Sequence, residues 1–252
     1  MPNIYEFYHQ QKTWGRPNHI SPISVASKTI MPSLTADFEM KIQNQFHLTK
    51  YKKRMESRFP LTDKVTVKAI IESRQSHNLP FVSKVIIDAL AGPNLAYIDD
   101  SKVFSIYVEQ HLKTSEKVDI TLYHEACSHQ SMLAYPFIGF SVDATPNGDI
   151  IQYPRTPEHS LIQNPDNTSN INLIRQKLTQ QNLKLLSSGD LSVNIEIHTD
   201  SNGDLDNFAL LYLIAMEGLI YPNIKDIKEM HLNLYRGSTK GEYARIEVMD
   251  RT

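Results

Sequence analysis

The chain has little of several features that define common protein classes. It has one cysteine, Cys127, so no intramolecular disulfide can form and a reducing compartment suits it. Its 252 residues include 9 glycines and 13 prolines, too few for a collagen-like or broadly disordered chain. No apolar run approaches the roughly 20 residues that a membrane-spanning helix requires. These absences leave the class of globular proteins, with no membrane partner expected.

Two further absences bear on location and on partners. Residues 1–6 lack a basic segment followed by an apolar core, so we expect no secretory signal and a cytoplasmic protein. The formal net charge is -2, so binding to nucleic acid would require a local basic face. Five cations within nine positions could form one, namely Lys50, Lys52, Lys53, Arg54 and Arg58. Such a run is also typical of a solvated helix face.

Two segments of the chain present the same order of features. The first has a strand-like run at 65–71, a loop, a helical segment at 81–90, then Gly92 and two further strand-like runs. The second repeats this order over 191–249, with its glycine at Gly218. The two glycines are 126 positions apart, which is half the chain length. The sequence therefore predicts an internal duplication.

A helical stretch with an amphipathic pattern precedes each copy, at 34–56 and at 171–186. The apolar positions of the first stretch are Phe38, Ile42, Phe46 and Leu48. We therefore predict an α+β protein of two tandem units, 1–128 and 129–252. Each unit would be a small mixed sheet with packed helices, and the two would associate as an intramolecular pseudo-dimer.

The sharpest acidic feature is Asp204-Leu-Asp206-Asn207, which follows a strand-like run and opens a helical one. Two carboxylates at i and i+2 beside an amide can direct their oxygens to one point, and oxygen ligands are those that Mg²⁺ prefers. Asp and Asn also favour helix N-termini, so helix capping is the alternative. A second acidic feature is the pair Asp99 and Asp100 ahead of a strand-like run, which is typical of a turn and occasionally of a metal site.

Taken together, these motifs resemble those of the RusA family, the phage and prophage Holliday junction resolvases. The first copy resembles the second half of the family motif, in Lys84, Asp88-Ala-Leu-Ala-Gly92 and Asp99-Asp100. The second copy resembles the first half, in Asp204-Leu-Asp206-Asn207. The resemblance covers about 60–125 and 190–250, roughly half of the chain.

The resemblance implies a Mg²⁺-dependent endonuclease that acts on branched DNA in recombination and repair. The family enzymes are homodimers, so a fused pair would work as a monomer or assemble further. The catalytic residues that the resemblance implies are Asp204, Asp206, Asp99, Asp100 and Lys84. Lys84 would neutralise the negative charge that develops at the phosphate, and the basic run from Lys50 to Arg58 would contact DNA phosphates.

Each copy departs from the family pattern in a different place. Copy one has Asn78 and Pro80 where the two early acids stand. Copy two has Leu210 at the lysine position, and Pro222 and Asn223 at the late acidic pair. The surviving residues are therefore complementary between the copies.

Three arrangements of a site remain open. In the first, Asp204, Asp206 and Asp226 hold the metal in copy two, and Lys84 approaches from copy one. In the second, an aspartate of the late pair in copy one crosses the interface to join Asp204 and Asp206. In the third, neither copy binds metal, and the fold serves as a DNA-binding or structural module. A single site predicts nicks instead of paired incisions.

Overall fold

The computed structural model describes residues 2–9, 32–124, 136–145, 165–181, 183–187, 189–199, 203–237 and 242–251. Cys127 and the predicted boundary between residues 128 and 129 lie outside these ranges. The described strands are β1 (Asn3–His9), β2 (Val65–Ser73), β3 (Val103–Leu112), β4 (Lys117–His124), β5 (Ile138–Val142), β6 (Leu191–His198), β7 (Ile227–Tyr235) and β8 (Glu242–Asp250). The described helices are α1 (Pro32–Lys52), α2 (Leu79–Leu90), α3 (Pro165–Thr179) and α4 (Leu205–Met216).

All of these strands belong to one mixed sheet, in the order β1-β8-β6-β7-β3-β2-β4-β5. The pairs β2/β3 and β6/β7 are parallel, and the other neighbouring pairs are antiparallel. The α+β class is therefore confirmed. We expected a small sheet in each unit, and the sheet is instead continuous because β3 pairs with β7 at its centre.

The strand pairing in the two halves of the sheet corresponds. β2 lies between β3 and β4 as β6 lies between β7 and β8, and in each case a helix, α2 or α4, connects the parallel strands. The outer strands are exchanged: β1 pairs with β8, and β5 pairs with β4. Neither predicted unit, 1–128 or 129–252, therefore holds all the strands of its own half of the sheet.

The central helices, α2 and α4, are buried because their sequences are apolar on nearly every side. Every residue of α4 is buried, as is every residue of α2 except Asp88. In the strands beneath them, side chains alternate between the two faces of the sheet, so Val193, Ile195 and Ile197 are buried while Asn194 and Glu196 remain partly accessible. The two turns that follow the helices contain Gly92 and Gly218 at φ 149° and 78°, values that side chains disfavour.

The helices form one layer, since α1 packs on α2, α2 on α4, and α4 on α3. The buried face of α1 contains Phe38, Ile42 and Phe46, as predicted. Leu48 instead leaves 44% of its surface exposed. The buried residues recur every four positions, and at about 100° per residue Leu48 lies on the far side of the helix from Phe46. Among the described residues, the helices include none that is long and apolar enough to cross a membrane.

Substitution on the two faces of α1 should have very different effects on stability. Phe46 is fully buried, and the centroid of its ring lies 5.0 Å from the ring centroid of Phe59 and 5.9 Å from that of Phe140. We expect Phe46→Ala to lower the free energy of unfolding by about 3–5 kcal/mol. Leu48→Ala should change it by less than about 0.5 kcal/mol. Urea unfolding of both variants measures this, and equal effects would contradict the orientation of α1.

Candidate metal centre

Carboxylates from three segments of the chain meet at one place. Asp88, Asp100 and Asp206 each offer one oxygen, and these three oxygens lie within 4.8 Å of one another. Asp88 lies near the end of α2, Asp100 begins a short 3₁₀ turn ahead of β3, and Asp206 lies in the first turn of α4. The group therefore combines residues from both sequence copies, at a spacing that one divalent cation could bridge.

A short turn presents Asp100 to this group. Asp99 precedes the turn, and its Oδ1 accepts a hydrogen bond from the Ser101 backbone N–H at 2.9 Å and another from the Ser101 hydroxyl. The two acids of this pair thus differ in their surroundings. Asp99 stabilises the turn, and Asp100 is the member of the pair whose oxygen joins the carboxylate group.

Lys84 links the two sequence copies at the site. Its Nζ donates to Asp206 Oδ2 at 2.6 Å and lies 3.7 Å from Asp88 Oδ1. Burial lowers the pKa of Lys84, but the charges of Asp206 and Asp88 outweigh burial and raise the pKa above its usual value. The side chain is only 1% exposed, so a ligand in solvent has little access to its ammonium group. This geometry fits a residue that positions Asp206 more than one that contacts a phosphate directly.

Asp204 lies beside the group of three. It occupies the N-cap position of α4 but makes no capping hydrogen bond with its side chain. Its Oδ2 instead accepts from Asn207 Nδ2 at 3.4 Å. Burial, followed by the charges of Asp100 and Asp206, raises the pKa of Asp204 to about 6. Asp204 is therefore available as a further oxygen ligand, direct or through water.

Negative charge exceeds positive charge at this site. Burial is the main cause that raises the pKa of Asp88 to about 7, repulsion from Asp206 and Asp100 adds to it, and Lys84 opposes it. Burial and Asp206 likewise raise the pKa of Asp100. One ammonium thus faces four carboxylates, counting Asp204. An all-oxygen donor set with uncompensated charge fits a hard divalent cation such as Mg²⁺.

The structure gathers a different set of acids from the one that we predicted. Asp226 ends a 3₁₀ turn, Ile224–Asp226, and its charged neighbours are Lys228 and Asp190. Within the described part of the chain, the metal-competent group contains Asp88 and Asp100 in its place. The second of the three arrangements, in which a late acid of copy one joins Asp206, is the one closest to this geometry.

The physical reason lies in the corresponding turns of the two copies. The 3₁₀ turn Asp100–Lys102 leads into β3 as Ile224–Asp226 leads into β7, so Asp226 stands where Lys102 stands in copy one. Asn223 takes the place of Asp99, and its Oδ1 accepts from the Lys225 backbone N–H at 2.9 Å. The late acidic pair therefore corresponds to Asn223 and Ile224, one position later than the Pro222 and Asn223 that we assigned from the sequence. Ile224, at the place of Asp100, is 2% exposed.

Asp88 lies in the motif Asp88-Ala-Leu-Ala-Gly92, but we did not predict it as a site residue. A signal was present, since Asp88 lies four positions after Lys84 and four positions on a helix bring side chains together. Glu39 of α1 is a further acid whose charge raises the pKa of Asp88. No sequence pattern connected Glu39 with the motif, because only helix packing brings α1 beside α2.

The predicted basic face lies at the end of α1. Its exposed cations are Lys52, Lys53, Arg54 and Arg58. Lys50 differs from them, because its Nζ donates to the Asn94 carbonyl at 2.9 Å and lies 5.3 Å from the centroid of the Phe46 ring. Lys50 therefore attaches the end of α1 to the loop that precedes Asp99 and Asp100.

Comparisons with known proteins do not extend this picture. No family model matches the chain, and searches of curated proteins and of solved structures find no match. The resemblance to the RusA family thus remains a prediction from the motifs.

Without divalent cations, the carboxylates should make the protein less stable as the pH rises from about 4 to 8. Asp88 and Asp204, with pKa values of about 7 and about 6 against an ordinary 3.8, favour folding while protonated. That stability is lost as the pH passes upward through the raised values. Asp88→Asn should reduce the slope, whereas Asp143→Asn, at an exposed residue after β5, should not. Urea unfolding at several pH values measures this, and identical slopes for all three proteins would contradict it.

Divalent cations should stabilise the folded protein through the same carboxylates. At 100 times the dissociation constant, a ligand specific for the folded state adds about 2.7 kcal/mol. We expect Mg²⁺ or Mn²⁺ to raise the Tm of the wild type in a concentration-dependent way. Asp100→Asn should lose most of this rise, and Asp143→Asn should keep it. An equal rise in both variants would place the bound cation elsewhere.

Proposed function

We propose that this chain is a RusA-like, Mg²⁺-dependent endonuclease that acts on branched DNA through a single working site. The observation that carries the proposal is the meeting of Asp206 with Asp88, Asp100 and Lys84. These residues come from motif halves that survive on different copies. Isolated capping or turn residues have no reason to converge from three segments on one point.

The matching sheet arrangements support an intramolecular pseudo-dimer. β2-α2-β3-β4 and β6-α4-β7-β8 have the same pairing on either side of the β3–β7 contact. Two buried tyrosines occupy corresponding places: Tyr97 donates its hydroxyl to the Ile87 carbonyl at 2.8 Å, and Tyr221 donates to the Leu213 carbonyl at 2.5 Å. In this proposal the exchanged strands β1 and β5 hold the two halves together.

The residues that correspond to the carboxylate group in the other copy support a single site. Corresponding residues lie at equivalent positions of α2 and α4, or of the turns that precede β3 and β7. The residues that replace Lys84, Asp88, Asp100 and Asp206 are Leu210, Ile214, Ile224 and Pro80. All four are buried and none can ligate a cation. The second site of a symmetric dimer is thus absent, and one incision per bound DNA follows.

The residues of this chain would act mainly by holding the cation and by orienting the carboxylates that bind it. Asp88, Asp100 and Asp206 would hold the cation, with Asp204 able to contact it directly or through water. Bound Mg²⁺ supplies polarisation of a phosphodiester oxygen and a water of lowered pKa. Lys84 keeps Asp206 in place through the 2.6 Å ion pair, and Asn207 orients Asp204. The exposed cations at the end of α1 would neutralise DNA phosphates without reading sequence.

A non-enzymatic function is the second candidate, in which the fold serves as a DNA-binding or structural module. The Lys84–Asp206 ion pair favours it, since this pair compensates one carboxylate without any metal. The net charge of -2 and the apolar equivalents of the site in the second copy agree with it. The two candidates differ in whether bound DNA is cut.

Cleavage of a synthetic four-way junction and of a matched duplex, with and without Mg²⁺, tests the proposal. We expect the wild type to make single nicks in the junction only with Mg²⁺. Asp206→Asn should lower the rate by about 10²–10³-fold, the scale of losing one charge-stabilising group. Asp143→Asn should retain the wild-type rate, which controls for the loss of one carboxylate elsewhere.

The product pattern distinguishes the remaining outcomes. Paired incisions by a monomer, with the mass confirmed by light scattering, would contradict a single site. Binding without incision would establish the non-enzymatic candidate. Incision that survives Asp206→Asn would contradict the role of the carboxylate group.

A further inference from the structure

Tyr51 projects from the last turn of α1 into solvent. It is 72% exposed, more than any other large apolar side chain among the described residues. Burying an aromatic ring of this size on another surface is favourable, so its face is available to stack on a flat partner. We define the α1 terminus as Tyr51 together with Lys52, Lys53, Arg54 and Arg58.

The cations of the α1 terminus lie within seven positions of Tyr51 along the chain. All four are exposed, and none makes an ion pair with another residue in the described ranges. Glu56 is the one acid within 50–58. A polyanion would therefore meet four uncompensated charges beside an accessible aromatic face, which is the combination that binds unpaired nucleic acid.

Arg54 has a backbone conformation that glycine would adopt more easily. Its φ is 54°, in the left-handed region, at the position after a helix where glycine is usual. The turn is held by hydrogen bonds from the backbone N–H groups of Arg54 and Met55 to the carbonyls of Tyr51 and Lys50, at 2.9 and 3.0 Å. An L-residue here is less favourable than glycine, so the turn itself does not explain the arginine.

The α1 terminus is attached close to the carboxylate group. Lys50 donates to the Asn94 carbonyl at 2.9 Å, and Asn94 precedes Asp100 by six residues. Six extended residues span at most about 22 Å. A DNA strand that reaches the carboxylates can therefore also reach Tyr51 and Arg54.

We propose that the α1 terminus binds an unpaired nucleotide of branched DNA. Tyr51 stacks on the base, and Lys53, Arg54 and Arg58 contact the flanking phosphates. A base inside a duplex offers no free face, so Tyr51 contributes only where a strand is unpaired. The proposal rests on the proposed function for its substrate, and it makes DNA with a single-stranded arm, such as a fork, a better ligand than a fully paired junction.

Binding without divalent cations separates this proposal from catalysis. The probes are a forked DNA with 2-aminopurine in its unpaired arm and a fully paired four-way junction. We expect Tyr51→Ala to weaken binding of the fork by about 5- to 100-fold, the value of one base–aromatic stack, and to abolish quenching of 2-aminopurine. Binding of the paired junction should stay within about twofold. Tyr51→Phe should retain both properties.

Arg54→Gly tests the role of Arg54 through two measurements, the Tm and the salt dependence of fork binding. Glycine relieves the left-handed backbone, so the Tm should equal or exceed that of the wild type. Binding of the fork should nevertheless weaken, and the slope of log affinity against log salt should fall in magnitude by about 0.7, since one phosphate contact is lost. Arg54→Lys should keep the slope. A lower Tm with unchanged binding would show a purely structural role and overturn the assignment of Arg54.

Leu48→Ala serves as the matched control, since Leu48 is exposed on the same helix outside the α1 terminus. An equal loss of fork binding in Leu48→Ala and Tyr51→Ala would instead indicate apolar contact along α1 and overturn the stacking proposal. Equal losses on fork and paired junction, or no loss, would overturn it as well. Fork-selective binding by a wild type that fails to incise any DNA would leave this inference standing and contradict the proposed nuclease.

Discussion

The antiparallel pairing of β3 with β7 is the contact on which the candidate site depends. Residues 105–109 pair with residues 229–233, and the Ser105 hydroxyl donates to Asn233 Oδ1 at 2.9 Å. α2 packs on β3 and β7, and α4 packs on β6, β7 and β3, so the pairing of β3 with β7 also brings α2 beside α4. Only then can Lys84 reach Asp206. Either half alone would hold an incomplete set of site residues.

Concentrated negative charge is the main electrostatic feature of the site. Lys84 compensates Asp206, but Asp88 and Asp100 remain in partly buried surroundings where their pKa values are raised. Such an arrangement costs stability in a protein that binds nothing there. Unfavourable local electrostatics of this kind are typical of functional sites, where a ligand supplies the missing charge.

The two copies differ in chemistry much more than in backbone structure. Gly92 and Gly218 both follow the central helix, and Tyr97 and Tyr221 both donate a hydroxyl to a carbonyl of that helix. These features are required by the fold itself, because they form the turn between helix and strand. The carboxylates are not required by the fold, which explains how Ile224 can occupy the place of Asp100 with no change in the architecture.

The sequence by itself determined the local elements and the duplicated order of strand, helix and strand, because apolar periodicity and turn glycines act over short distances. It also indicated Asp206, Lys84 and the late acidic pair. Only the tertiary structure decided that the two halves share one sheet with exchanged outer strands, and that Asp88 and Asp100 rather than Asp226 lie beside Asp206. Pairing between distant strands and the packing of helices decide those contacts. Neither can be deduced from the spacing of residues along the sequence.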